Sequence, residues 1–310
     1  MVKTVVSVGL PVDEKLIILK NRLEPEVLTG KEKRFLIVSG IHGDELDGQY
    51  VCFKVIQKIN ENKEKLKGIV DIYPAINPLG IDSVSRGIPM FDLDMNRIFP
   101  GEKDGPMTES VAAQIIDDMM GADMCVDIHS SNVFLREALQ ARVSSENANK
   151  LLPYAKMLNT ELVWVHDSVP VLEATIAHSL NAMGVPTLVV EMGVGMRITK
   201  EYGDRLVDGI FHLMSEIGIW DENVGVCEPI VSTAGEVTLI SANHPGVFIS
   251  EIKHNERVQK GDQIGKIVNG LSGEVEEEIV APCEGLIFTL REYPVVYNGT
   301  LVARILGGAN

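Results

Sequence analysis

The sequence predicts an α/β fold: a mostly parallel, mixed sheet with helices on both faces, followed by a small all-β barrel or sandwich. Two observations carry this. Short apolar runs such as Phe35-Leu-Ile-Val38 and Val185-Pro-Thr-Leu-Val-Val190 alternate with longer segments of helical periodicity up to about residue 220, the pattern of a sheet covered on both sides. From Val224 that periodicity stops, and glycines recur at 246, 261, 265, 270, 273, 285 and 299 between short alternating strands. The chain therefore divides into a unit over 1–223 and a smaller one over 224–310.

A chain of 310 residues has room for both units, and 45% hydrophobic with 23% charged residues is a globular composition. Lysine and arginine number 28 against 44 aspartates and glutamates, a formal charge of −16. Phosphate backbones and anionic membranes are poor matches for that balance, so neither nucleic acid nor membrane is expected as a partner. The four cysteines, Cys52, Cys125, Cys227 and Cys283, form no C-x-x-C, which removes zinc-ribbon and redox readings. The amino-terminal apolar run alternates with polar residues, unlike a secretion signal, and no segment reaches membrane-span length. A soluble, cytoplasmic protein with reduced thiols is expected, with a homo-oligomer left open.

In order, Val5-Ser-Val-Gly and Lys15–Leu19 read as antiparallel strands leading into Phe35–Val38, which stops at Ser39-Gly40. A helix is expected from Asp44 to about residue 60, then a strand at Ile69–Tyr73. The polar stretch Ile81–Pro106 is too long for a simple connection and reads as functional. Thr108 is the expected cap of the next helix. Ala122–Ile128 is a strand ending at His129, Leu151–Leu158 is helical, and Glu161–Val165 is a strand ending at His166. A helix over Glu173–Met183, a strand ending at Glu191 and a helix over Glu201–Glu216 complete the first unit.

The chemistry gathers where strands end, as ligand sites do in open α/β sheets. His42 and Glu45, three residues apart, converge from one side of a first helical turn, and His129 is the natural third ligand of a catalytic zinc site with one open position. Alone, H-x-x-E is more often a loop histidine beside a first-turn acid; the company of the other strand ends changes the balance. Asp127 either lies near His129 or packs elsewhere. Glu191, the one acid ending an apolar strand, is the candidate to pass a proton from water to a leaving nitrogen. Arg97 presents a fork for a substrate carboxylate, Asn96 an added donor, and Arg86 a cation for the scissile carbonyl, although these arginines also serve to neutralise neighbouring aspartates. Pocket walls are expected from Val133 to Arg142, from Trp164 to Leu172, and from the β unit. His178 reads as a packed helix histidine.

His42-Gly-Asp-Glu45, Asn77-Pro, Asp94-Met-Asn-Arg97-Ile-Phe-Pro-Gly, Asp127-Ile-His129 and Val190-Glu191 together resemble the ordered motifs of the succinylglutamate desuccinylase and aspartoacylase family, relatives of the zinc carboxypeptidases. The resemblance spans roughly residues 30 to 220. It implies a carboxypeptidase-like fold and a zinc amidohydrolase that cuts an acyl group from an N-acyl amino acid, with one Zn²⁺ per chain on His42, Glu45 and His129. It also implies Glu191 as general acid/base and Asn96 with Arg97 on the substrate carboxylate; Arg86 matches an upstream family arginine. Met95 stands where leucine is usual, a volume-conserving change. The stretch Asn255–Gly265 with Val280–Ile287 resembles a biotinyl/lipoyl-type domain, but Leu271–Glu278 carries no lysine for a carrier role, which leaves a cap or oligomer contact. Two alternatives stand beside the deacylase: a metallocarboxypeptidase acting on short peptides, and a non-catalytic binding module that keeps only the fold.

Overall fold

The computed structural model describes residues 1–167 and 172–307. In chain order its elements are β1 (Val2–Gly9), β2 (Lys15–Leu23), β3 (Arg34–Ser39), α1 (Asp47–Glu61), β4 (Ile69–Tyr73), α2 (Pro78–Ser83), α3 (Met107–Met119), β5 (Met124–Ser130), β6 (Leu135–Ser144), α4 (Ala148–Ala155), β7 (Leu162–His166), α5 (Ile176–Ala182), β8 (Thr187–Gly193) and α6 (Lys200–Glu216). Then follow β9 (Ile230–Thr233), β10 (Val237–Ser241), β11 (Gly246–Ser250), β12 (Arg257–Val258), β13 (Gln263–Val268), β14 (Val275–Val280), β15 (Gly285–Arg291), β16 (Val295–Val296) and β17 (Leu301–Leu306). No described helix is long and apolar enough to cross a membrane.

One sheet runs β1-β2-β4-β3-β5-β8-β6-β15-β17-β10. Its centre, β4-β3-β5-β8, is parallel; β2 and β6 flank it antiparallel. The continuous apolar run of β3 follows from burial on both faces. Phe35 and Ile37 enter a core shared with α1, α4 and α6, and Leu36 and Val38 enter one shared with α3 and α5. On α1, Val51, Cys52, Val55 and Ile59 recur at helical spacing to form the buried stripe.

The element readings hold with adjustments. The first helix begins at Asp47 rather than Asp44, so Glu45 sits in the turn before it. Pro106, not Thr108, precedes α3, and Thr108 is buried inside its first turn. Proline at that boundary has no N–H to lose there. Val133–Arg142, expected only as pocket wall, is largely β6, a full member of the sheet. Of the wall expected at Trp164–Leu172, residues 168–171 lie outside the described set.

The small all-β unit forms in part. A separate four-stranded sheet, β14-β13-β11-β16, packs over a core that includes Phe248, Ile264 and Ile267. The remaining strands do not stand apart: β15 pairs with β6 through Thr289 opposite Glu137, and β9 runs parallel to β7. β7 pairs with β6 over Gln140–Ser144, and the C-terminal segment covers the rest of that edge at Leu135–Glu137.

Candidate metal centre

Alternation along the central strands selects which side chains reach the site. On β5, Val126 and Ile128 point into one core, so Asp127 and His129 project from the opposite face; on β8, Val190 and Met192 likewise leave Glu191 opposite. The register pairs His129 with Glu191, placing both on one face at neighbouring strand ends.

His42 arrives from the turn after β3. Glu45 N donates to His42 O at 3.3 Å, closing a turn that turns both side chains the same way without a helix. Gly43 in this turn lies against the backbone of Gly80, and any β-carbon there would overlap it. Asn77 Oδ1 accepts from Gly80 N at 2.9 Å and holds that contact surface in place.

The three side chains meet. Glu45 Oε1 lies 2.7 Å from His42 Nδ1, and Glu45 Oε2 lies 3.0 Å from His129 Nδ1. The two Nδ1 atoms are 3.3 Å apart, and one donor atom from each residue falls within 4.8 Å of the others. The far ring nitrogens are taken: His42 Nε2 is 3.2 Å from Asp94 Oδ1, and His129 Nε2 is 3.0 Å from Asp127 Oδ2. Asp127, left open between two placements, is thus beside His129. A carboxylate on the outer nitrogen favours a proton there and turns the inner lone pair toward the cluster, the usual second layer of a histidine metal site. Two nitrogen lone pairs and a carboxylate facing one point are a donor set that fits Zn²⁺.

The charges agree with a place for a cation. Burial works to raise the Glu45 carboxyl, yet His42 and His129 hold it at about 2. Burial works to lower both histidines, but Glu45 and Asp94 raise His42, and Asp127 with Glu45 raises His129 well above the ordinary value. In the other direction, burial pushes Glu191 up to about 6 against the opposing charge of Arg142.

A cavity of about 470 Å³ opens beside the cluster, with Arg86, Asn96, Arg97 and Glu191 at its wall. Arg86 donates from Nη1 to Glu45 Oε1 at 3.1 Å and from Nε to Asp94 Oδ2 at 3.3 Å, so it is tied to carboxylates at the cluster. Asn96 Oδ1 accepts from Ile176 N at 2.9 Å, which fixes the start of α5. Arg97 Nη1 donates to the Asn96 carbonyl at 2.7 Å, and Asp94 stays 4.0 Å away. His166 and His178 also border the cavity, and His178, read as a packed helix histidine, is part-buried at its wall.

Sequence reasoning missed Arg142, Glu137 and Arg304 as a group. Arg142 Nη1 donates to Glu191 Oε1 at 3.3 Å. The alternation of Gln140 and Arg142 with Leu139, Ala141 and Val143 was a usable signal of a strand with one polar face; Arg304, a single charge in the apolar β17, gave none.

A model of the succinylglutamate desuccinylase/aspartoacylase catalytic domain matches residues 31–217. The N-alpha-acetyl-L-2,4-diaminobutyric acid deacetylase of Halomonas elongata is 25% identical over 291 residues, covering 88% of this chain and 81% of that protein. The product-bound ectoine utilization protein of Ruegeria pomeroyi superposes with a TM-score of 0.81 at 20% identity, over 99% of this chain and 95% of that one. A succinylglutamate desuccinylase from a Silicibacter species gives 0.80 at 21% identity, over 94% and 88%. Likenesses at these identities describe the fold.

Proposed function

The chain belongs to the succinylglutamate desuccinylase/aspartoacylase family, and from that premise we propose that it is a zinc-dependent hydrolase removing an acyl group from an N-acyl amino acid. One observation carries the reading: His42 and Glu45 converge within 4.8 Å of His129, remote from them in sequence, beside a cavity whose wall holds Glu191. His42, Glu45 and His129 would hold one zinc. Bound there, the ion supplies Lewis acidity toward water and toward the acyl oxygen.

The chain's own residues do the rest. Glu191 takes a proton from the attacking water and passes it to the leaving nitrogen; one of its oxygens is engaged by Arg142, and Oε2 has no hydrogen-bond partner among the described residues. Arg97, with guanidinium donors left over after its bond to the Asn96 carbonyl, holds the substrate carboxylate, and Asn96 supports it from the same turn. Arg86 is the cation beside the cluster for the acyl oxygen. Residues 1–223 carry this machinery, and 224–310 cap it. The name of the Halomonas relative suggests a short acyl group on a diamino acid. A cytoplasmic location belongs to the same reading.

The test is a panel of N-acetyl, N-succinyl and other N-acyl amino acids beside dipeptides, with and without chelation. The deacylase reading expects acyl release that stops on zinc removal and returns on its addition. Faster release of C-terminal residues from dipeptides would favour the metallocarboxypeptidase. No turnover of either class, with E191Q indistinguishable from wild type, would leave a binding module.

A further inference from the structure

Glu191 belongs to a row of alternating charges across three strands. Arg142 on β6 splits its guanidinium between two carboxylates: Nη2 donates to Glu137 Oε2 at 2.6 Å, and Nη1 donates to Glu191 Oε1 at the longer 3.3 Å. Glu137 is 3% exposed and fully engaged. Gln140 Nε2 donates to its Oε2 at 2.8 Å, and Arg304 Nη1, from β17, donates to its Oε1 at 2.7 Å. Trp164 packs against both guanidiniums, whose central carbons lie 5.5 and 5.7 Å from the ring centre. Register builds the row: Gln140 faces Glu191 between β6 and β8, and Glu137 faces Thr289 between β6 and β15, which lies between β6 and β17.

An arginine facing a single carboxylate tends to close on it with both prongs. Here the shorter bond goes to Glu137, so Glu191 is held by one prong at one oxygen. We propose that Glu137 and Arg304 are positioning residues for Glu191: by drawing one prong of Arg142 aside, they keep the second Glu191 oxygen free to take up and release a proton. Arg304 acts by anchoring the far oxygen of Glu137; without it Glu137 is held at Oε2 alone, by Arg142 and Gln140, and can pivot about that end. The C-terminal segment thereby has a part in the reaction beyond covering a sheet edge. The inference rests on the reading of Glu191 as proton carrier.

The test uses the full-length zinc-loaded protein and the variants E137Q, R304M and R304K. E137Q keeps the side-chain size and removes the competing charge; Arg142 should close on Glu191 with both prongs, lowering kcat on the order of 10- to 100-fold with KM unchanged. R304M should lower kcat in the same way, and R304K, which keeps a cation on Glu137, should restore most of it. Because both residues border the cavity, the KM readout separates positioning from substrate contact. A rise in KM at constant kcat would overturn the proposal, as would wild-type kcat in E137Q and R304M, or losses that track a lower thermal midpoint without rescue by R304K. A crystal structure of E137Q gives an arm independent of turnover. Two Arg142–Glu191 bonds support the proposal, and a retained single bond contradicts it, even if no N-acyl amino acid proves to be a substrate.

Discussion

Glu191 is pulled two ways, raised by burial and lowered by Arg142, and the balance leaves it at about 6. Proton acceptance requires the carboxylate, so kcat/KM should hold above that pH and fall about tenfold per unit as pH drops well below it. Replacing Glu191 with glutamine should remove this acid limb from whatever residual rate survives, read from a pH–rate profile. Asp127 acts one layer out. D127N leaves the His129 ring in place but replaces its anionic acceptor with a neutral, weaker amide, and zinc affinity should fall roughly 10- to 100-fold in a chelator competition. At this scale the sequence was informative wherever a residue's partner is close in the chain or fixed by a motif. His42 and Glu45 meet through a single turn, and His129 and Glu191 close apolar strands. Of the Glu137–Arg142–Arg304 group, Arg142 left a signal in the alternation of its strand, whereas the contact of Arg304 with Glu137 comes from strand register among β6, β15 and β17, which no local pattern encodes.

The turn from Ile41 to Leu46 does what the sequence pattern assigned to a helix. A backbone bond from Glu45 to His42 suffices to align the two side chains, and the helix begins only at Asp47. Close packing of Gly43 on Gly80 holds this turn against α2. G43A should therefore cost roughly 1–3 kcal/mol of stability in denaturant unfolding, because a β-carbon there meets backbone that cannot swing aside. The parallel strands were readable since burial on both faces gives them unbroken apolar runs. β6 left the weaker alternating pattern of a strand with one polar face turned to the cavity, and its place in the sheet depends on pairing with β8 and β15, far along the chain.

Across the whole molecule, the break at about residue 224 marks a change of texture more than a change of sheet. Strands from the C-terminal segment continue the large sheet past β6 and beside β7, and a four-stranded sheet builds outward from there. Truncation after residue 223 should leave the edges of β6 and β7 unpaired and remove Arg304 from Glu137. The fragment should aggregate or be digested rapidly under limited proteolysis, whereas a compact, protease-resistant product would show that the first unit folds alone. Composition legibly announced two textures; it had no means to report that they share hydrogen bonds, since pairing between distant strands is a property of register.

The claim on which everything else depends is that His42, Glu45 and His129 bind one zinc ion together. Metal content of the purified wild-type protein and of H129A, measured side by side after zinc loading and exhaustive dialysis, tests it most directly. The account predicts one zinc per chain in the wild type and a large loss in a folded H129A. Undiminished zinc in H129A, or none in the wild type, would contradict it.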